Sequence, residues 1–222
     1  MKVLIVVCAI FAAVAADETC LKDIERACNP PSGKAPIVIQ KCDAIYGGIR
    51  ALEVDLQKYV NDHISTSFAY LLMSTHYASY QKSRAGFEKL FRTLSDSKWN
   101  TALDLIKYIN HRGGKMEFLA DESQIPKSGV YELHEVKAVA KALDIEKSLA
   151  TEAQRIHEKA IRHKQQHHDP EISSYIEEKF VHKQADTIRT LSGYMADLEK
   201  FAADKIDNSL SLHLFDEFLQ GN

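Results

Sequence analysis

From Leu52 onward, residues suited to burial recur at alternating steps of four and three: Leu52, Leu56, Tyr59, His63, Thr66 and Tyr70. That spacing describes one buried seam on a long helix, and few folds accept a seam of this length. A second segment, roughly 84–111, repeats it with Phe87, Phe91, Leu94, Lys98, Thr101 and Leu105. It stops at Arg112-Gly113-Gly114, where glycine can take the left-handed conformation of a C-cap. With the first helix ending near Tyr80, the linker is short and the pair antiparallel. A third helix over roughly 131–163 offers Val136, Val139, Leu143, Glu146, Ala150, Ala153 and His157 on one face. A fourth starts after Asp169-Pro170, proline suiting a first turn, and carries Tyr175, Phe180, Gln184, Ile188, Leu191, Met195 and Leu198. The stretch 113–130 contains Pro126 and has no helical period, so it is read as a connection spanning the bundle, which makes helix three parallel to helix two. Ser209 to Leu219 is apolar at Leu210, Leu214 and Phe218 and is too short to stand without a docking site. The expected architecture is all-α: a four-helix bundle with one long crossover, over 47–222, plus a short fifth C-terminal helix.

The N-terminus names a compartment. Lys2 precedes an apolar run from Val3 to Ala16, and Asp17-Glu18 then turns abruptly polar. This reads as a secretory signal peptide over 1–16, with Val14 and Ala16 suited to a cleavage site; the run is short for a membrane anchor. Cleavage removes Cys8 and leaves Cys20, Cys28 and Cys42 on an irregular arm, 17–46, rich in Pro and Gly. Three cysteines in an oxidising compartment favour one intrachain and one interchain disulfide; the alternative is a single loop and an idle thiol. Lys+Arg 28 against Asp+Glu 31 leaves no basic surplus, which argues against a nucleic-acid partner. P-loop, dinucleotide-binding and H-E-x-x-H motifs do not occur.

Several separated segments now align with one family. Phe68-Ala-Tyr-Leu-Leu-Met-Ser-Thr-His-Tyr77, Asn110-His-Arg-Gly-Gly114, Leu143-Asp-Ile-Glu-Lys147, Asp169-Pro170 with Tyr175-Ile-Glu177, and Leu214-Phe-Asp216 occur in the order and near the spacing of ferritin subunits. With its signal peptide and Cys-bearing arm the chain resembles a secreted arthropod-type ferritin subunit. The resemblance implies a ferritin-like bundle and a hollow shell of 24 subunits that stores ferric mineral, Fe(II) being the ion in transit.

In that family the oxidising, heavy-type subunit holds two irons on inward carboxylates and a His. At the matching positions this chain has His63 for the first-helix Glu, and Lys98-Trp99-Asn100-Thr101 where the family has Glu-x-x-His. It keeps Tyr70, Glu146 and Gln184. The resemblance therefore implies a light-type subunit that relies on heavy-type partners for Fe(II) oxidation; the alternative is a self-sufficient ferroxidase with an altered site. Lys98, Thr101, Glu146 and Gln184 also fall on the seams counted above, so Lys98 is expected to pair with Glu146 inside the bundle, unless it snorkels off the seam edge.

Three further expectations follow from the same resemblance. The three-fold iron channel matches Ser174 and Glu177, with Glu177 the surviving carboxylate and Lys179 and Lys183 as possible offsets. The cavity-facing glutamate cluster matches Lys89, Thr93, Asp96 and Asn100, in which Asp96 alone is acidic. Leu210, Leu214 and Phe218 either plug the four-fold axis or simply pack onto the parent bundle. Separately, His157, His163, His167 and His168 crowd the turn between helices three and four and are read either as a metal site or as a solvated turn.

Overall fold

In the computed structural model of the chain the described residues are 19–28, 42–118, 132–162, 168–203 and 208–221. They divide at Ala44/Ile45 into two compact units. The N-terminal unit contains α1 (Cys20–Cys28) and a Cys20–Cys42 disulfide that spans 22 residues of sequence. The arm expected to be irregular thus includes a nine-residue helix, and one disulfide is intrachain. Closing a loop of this size removes about 3 kcal/mol of unfolded-chain entropy. The Cys28 side chain and the segment 1–16, expected from the sequence to be a signal peptide, lie outside the described residues.

The second unit is built from α2 (Ile49–Tyr77), α3 (Ala85–His111), α4 (Glu135–Ile161), α5 (Pro170–Ile176), a π turn (Glu177–Val181), α6 (His182–Ala203) and α7 (Asn208–Gly221). The described residues contain no strand. The caps follow from local chemistry. Gly113, at φ 77, ends α3, and its neighbour's N–H returns to the Ile109 carbonyl at 2.9 Å. Asp169 accepts from the Ile172 N–H at 3.0 Å with Pro170 in the first turn of α5, so the helix begins where its unpaired N–H groups are satisfied.

The helix directions can be read from cross-helix bonds. Ser67 of α2 meets Ser95 of α3, while Tyr77 stacks on Phe91, so α2 and α3 are antiparallel. Tyr59 bonds the Leu149 carbonyl and Tyr70 the Ala142 carbonyl, which makes α4 antiparallel to α2 as well. Two helices antiparallel to a third are parallel to each other, so the connection from α3 to α4 must travel the length of the bundle. Residues 119–131 of that crossover lie outside the described residues. The fourth helix differs from expectation: it is broken by the π turn, which carries the run Ile172, Ile176, Phe180 and Gln184 along one buried line at steps of four.

The fifth helix docks through a different face from the one expected. Leu210, Leu214 and Phe218 are 53%, 59% and 51% exposed, whereas Phe215 and Leu219 are buried against the bundle. Packing onto the parent bundle is therefore not the role of the Leu210/Leu214/Phe218 face. Asp216 completes the dock: its Oδ1 accepts from the Gly86 and Phe87 N–H groups at 2.9 and 3.0 Å, capping α3 from a distant part of the chain. The approach is close enough that a Cβ at Gly86 would sit 1.9 Å from the Asp216 carbonyl oxygen. Gly86→Ala is expected to destabilise the chain by about 1–3 kcal/mol or to expel α7; a lower urea midpoint together with faster proteolysis at α7 checks this.

A buried polar layer between two apolar cores

The bundle interior is two apolar clusters rather than one. The first holds Leu52, Leu56, Tyr59, Leu105, Leu149, Ile156 and Phe180; the second holds Tyr70, Met73, Phe87, Phe91, Val139, Leu191 and Leu198. On α2 the first cluster ends at Val60 and the second begins at Tyr70; on α3 the gap runs from Leu94 to Ala102, on α4 from Ala142 to Leu149, and between Phe180 and Leu191 on the last pair. Each helix fills its gap with buried polar groups: His63, Thr66 and Ser67, then Ser95 and Lys98, then Glu146, then Gln184. Seven polar residues from four separate helices therefore converge on one slice of the bundle.

At the centre of that slice Lys98 Nζ donates to Glu146 Oε2 at 2.6 Å, and the Tyr70 hydroxyl donates to Oε1 at 3.0 Å. Lys98 is 6% exposed and Glu146 0%. The lysine does not snorkel. Both carboxylate oxygens are engaged, which is the condition under which a buried charge is tolerable. Beside Glu146, burial pushes the Tyr70 phenol well above its ordinary range, and the carboxylate's charge pushes it further, so it remains a donor.

The neighbouring groups are less well satisfied. Gln184 Nε2 donates to the Tyr59 hydroxyl at 2.7 Å, and that hydroxyl donates to the Leu149 carbonyl at 3.1 Å. Gln184 Oε1 and both ring nitrogens of His63 are buried with no protein partner. The His63 ring instead sits edge-on to Tyr59 and Phe180, with centroids 4.6 and 5.5 Å away. Burial, and secondarily the Lys98 ammonium, lower its pKa to about 3. Ser67 and Ser95 close the layer by exchanging hydroxyl-to-carbonyl bonds at 2.9 and 2.8 Å.

Thr101 departs from its expected place. It is only half buried and returns its hydroxyl to the Ser97 carbonyl at 2.8 Å; Ala102 is the seam residue there. The 3.6-residue period drifts against a fixed alternation of threes and fours, and α3 steps by four twice, from Leu94 to Lys98 to Ala102. The structure thus joins Tyr70, Lys98 and Glu146 directly, puts His63 and Gln184 in the same layer, and leaves Thr101 at its edge. Sequence periodicity passed over Tyr59, Ser67 and Ser95 as polar-layer members, because a tyrosine on a seam reads as core and a serine beside it as filler.

Outside the layer, Asp96 is exposed and bonded by Arg92 at 3.1 Å. Lys89 reaches the Gln220 carbonyl at 2.9 Å. Ser174 and Glu177 are both exposed. Glu177 lies 3.8 Å from His157 and 4.0 Å from His182, while Lys179 pairs with Glu178 instead. Of the four clustered histidines, His163 and His167 lie outside the described residues. Among those described, no group of three or more His, Cys, Asp or Glu is placed to hold a metal ion.

A second buried charge ties the base of the bundle. Arg112, 1% exposed, donates from Nη2 to Asp169 Oδ2 at 2.7 Å and to the Tyr46 carbonyl at 3.1 Å. Burial raises the Asp169 pKa, but the bonds from Arg112 and from the Ile172 and Gly48 N–H groups outweigh it and hold the carboxyl below its ordinary value.

Two outcomes are expected. Lys98→Met strands Glu146 and should cost about 3–5 kcal/mol, whereas Lys98→Met with Glu146→Leu should be near neutral or stabilising; urea unfolding of the two variants separates the cases. The second concerns pH. Folded His63 stays neutral down to about pH 3, but in the unfolded chain it takes up a proton near pH 6.5. Between those values the unfolded state binds more protons, so stability falls with falling pH, by about 2 kcal/mol at pH 5. The drop in urea midpoint from pH 7 to pH 5 should shrink in His63→Leu.

Comparison with known proteins places this geometry in a lineage. A family model described as a ferritin-like domain matches residues 54–201. The chain is 42% identical to the ferritin light chain of Trichoplusia ni, covering 99% of this chain and 98% of that one. It is 40% identical to the ferritin light chain of Drosophila melanogaster, over 92% and 90%. The crystal structure of Trichoplusia ni secreted ferritin superposes with a TM-score of 0.81 at 39% identity, covering 92% of this chain and 99% of that chain. A matching domain, near-full-length relatives and a shared bundle agree: the chain belongs to the ferritin family, whose members form multi-subunit shells that store iron.

Proposed function

We propose that this chain is a light-type subunit of a secreted 24-subunit ferritin shell, storing ferric mineral while heavy-type subunits oxidise Fe(II). The observation that carries the reading is the Lys98–Glu146 bond at 2.6 Å. Among the described residues Glu146 is the one carboxylate in the buried layer, and both its oxygens are already taken, by an ammonium and a phenol. Hard iron cations need several oxygen ligands and compensating negative charge. At an effective dielectric constant of about 20, an Fe(II) ion about 4 Å from the ammonium is repelled by roughly 8 kcal/mol. His63 offers neutral nitrogens but no charge. The donor set therefore does not suit a two-iron centre.

The remaining assignments fit the same reading. Residues 1–16 act as the secretion signal and 17–46 as the Cys-bearing arm ahead of the 47–222 bundle. Cys20 and Cys42 bond within the arm, so Cys28 is the cysteine left to cross-link an unlike subunit. Glu177 contributes to an acidic ring on the iron path, and the exposed Leu210/Leu214/Phe218 stripe supplies an apolar plug between symmetry-related subunits. Asp96, already bonded by Arg92, is a weak mineral nucleus, so storage depends on the partner subunits.

Aerobic Fe(II) oxidation by shells of this chain alone should be slow and non-saturating, and addition of a heavy-type partner should restore a fast phase. Fast saturable oxidation by the chain alone would instead favour the self-sufficient ferroxidase. Non-reducing electrophoresis of the secreted shell should show a dimer band that Cys28→Ser removes.

A further inference from the structure

An open cleft of about 420 Å³ runs outward from the edge of the buried layer at Thr101 and Phe180, between α3 and the segment from α5 through the π turn to the start of α6. Its charged lining is unbalanced: Lys107, Lys179 and Lys183 face a single carboxylate, Asp104. The two nearby carboxylates hold their lysines loosely. Lys107 Nζ is 3.3 Å from Asp104 Oδ1, and Lys179 Nζ is 2.6 Å from Glu178 Oε1, but all four side chains are about half exposed or more. Exposed pairs of this kind contribute about 0–1 kcal/mol each, so a doubly charged acceptor can replace them. Lys183 makes no ion pair within 4 Å among the described residues, and its charge, behind that of Lys179, helps hold the Glu178 carboxyl below its ordinary value.

The cleft wall is aromatic. Tyr108 and Tyr175 stack with centroids 3.8 Å apart and planes 5° from parallel. The Tyr108 hydroxyl bonds Glu171 and accepts from Arg112 at 3.2 Å. The wall is fixed from behind by the buried Arg112, and it places low-dielectric surface beside the lysines, which strengthens their attraction for an anion.

We propose that this cleft is a phosphate-binding site, with Lys179 and Lys183 holding the phosphate oxygens and Lys107 at the rim. Lysine binds phosphate as a mobile point charge with three donors and does not need the rigid fork of an arginine. The phosphate is either free or carried on a phosphomonoester, whose organic part would lie against the tyrosine wall. The inference depends on the cleft and not on the light-type reading of the buried layer.

The test uses the assembled, metal-free protein, titrated calorimetrically with inorganic phosphate and, separately, with adenosine monophosphate. Saturable binding near one site per chain is expected. Lys179→Gln with Lys183→Gln should weaken it at least tenfold, whereas Lys147→Gln with Lys200→Gln, which removes the same charge elsewhere, should not change it. Circular dichroism confirms that both exposed-site variants stay folded. Equal affinity for the two ligands assigns the site to free phosphate, and tighter binding of the nucleotide assigns it to a phosphomonoester. Absence of saturable binding, or equal weakening in both double variants, overturns the proposal.

Discussion

A carboxylate at the centre of a four-helix bundle must be neutralised, and in this chain the neutralising group is the Lys98 ammonium. Much of the architecture is arranged around that need. Glu146 comes from α4 and Lys98 from α3, two parallel helices joined by the long crossover, so the pair can form only when the chain has traversed the bundle. Tyr70 supplies the remaining donor from α2. A buried ion pair contributes little net stability, because desolvation offsets most of the attraction, but it punishes any packing that separates its members. Here it fixes the register of three helices against one another.

The same pair divides the core. Apolar clusters above and below it are each built from all the bundle helices, and the polar slice between them holds His63, Ser67, Ser95 and Gln184 in line. In the reading proposed for the chain, the slice is what remains when a position suited to metal is filled by a permanent cation. Replacing an exchangeable divalent ion by a tethered ammonium gives up redox chemistry and keeps the electrostatic compensation that Glu146 requires. The unpartnered nitrogens of His63 and the Oε1 of Gln184 mark where compensation is incomplete, and the low pKa of His63 is its electrostatic consequence.

Two other buried acids do mechanical work at the ends of the bundle. Asp169 joins the start of α5 to Arg112 after α3 and to the Gly48 N–H before α2, so one side chain gathers three chain segments. Asp216 carries α7 onto the N-terminus of α3 by supplying the acceptor that two free N–H groups need. Both are helix-terminus solutions, one local and one long-range.

Much of this was legible without coordinates. Helix extents, the Gly113 C-cap, the Asp169-Pro170 start and the placement of Lys98, Glu146 and Gln184 on buried faces follow from periodicity, because a side chain's direction on a helix is set by its number. What counting could not settle depended on neighbours. Thr101 slipped to the edge because α3 advances by two successive fours. The fifth helix turned Phe215 and Leu219 inward and left Leu210, Leu214 and Phe218 facing out, since Asp216 fixes its rotation and both faces are apolar enough to pack. The arm's helix and the Cys20–Cys42 choice depended on short-range geometry that cysteine arithmetic leaves open. By itself the sequence determined that Lys98, Glu146 and Gln184 lie on the buried faces of their helices; only the tertiary structure decided that Lys98 and Glu146 meet at 2.6 Å, because that distance depends on how helices far apart in the chain are set against one another.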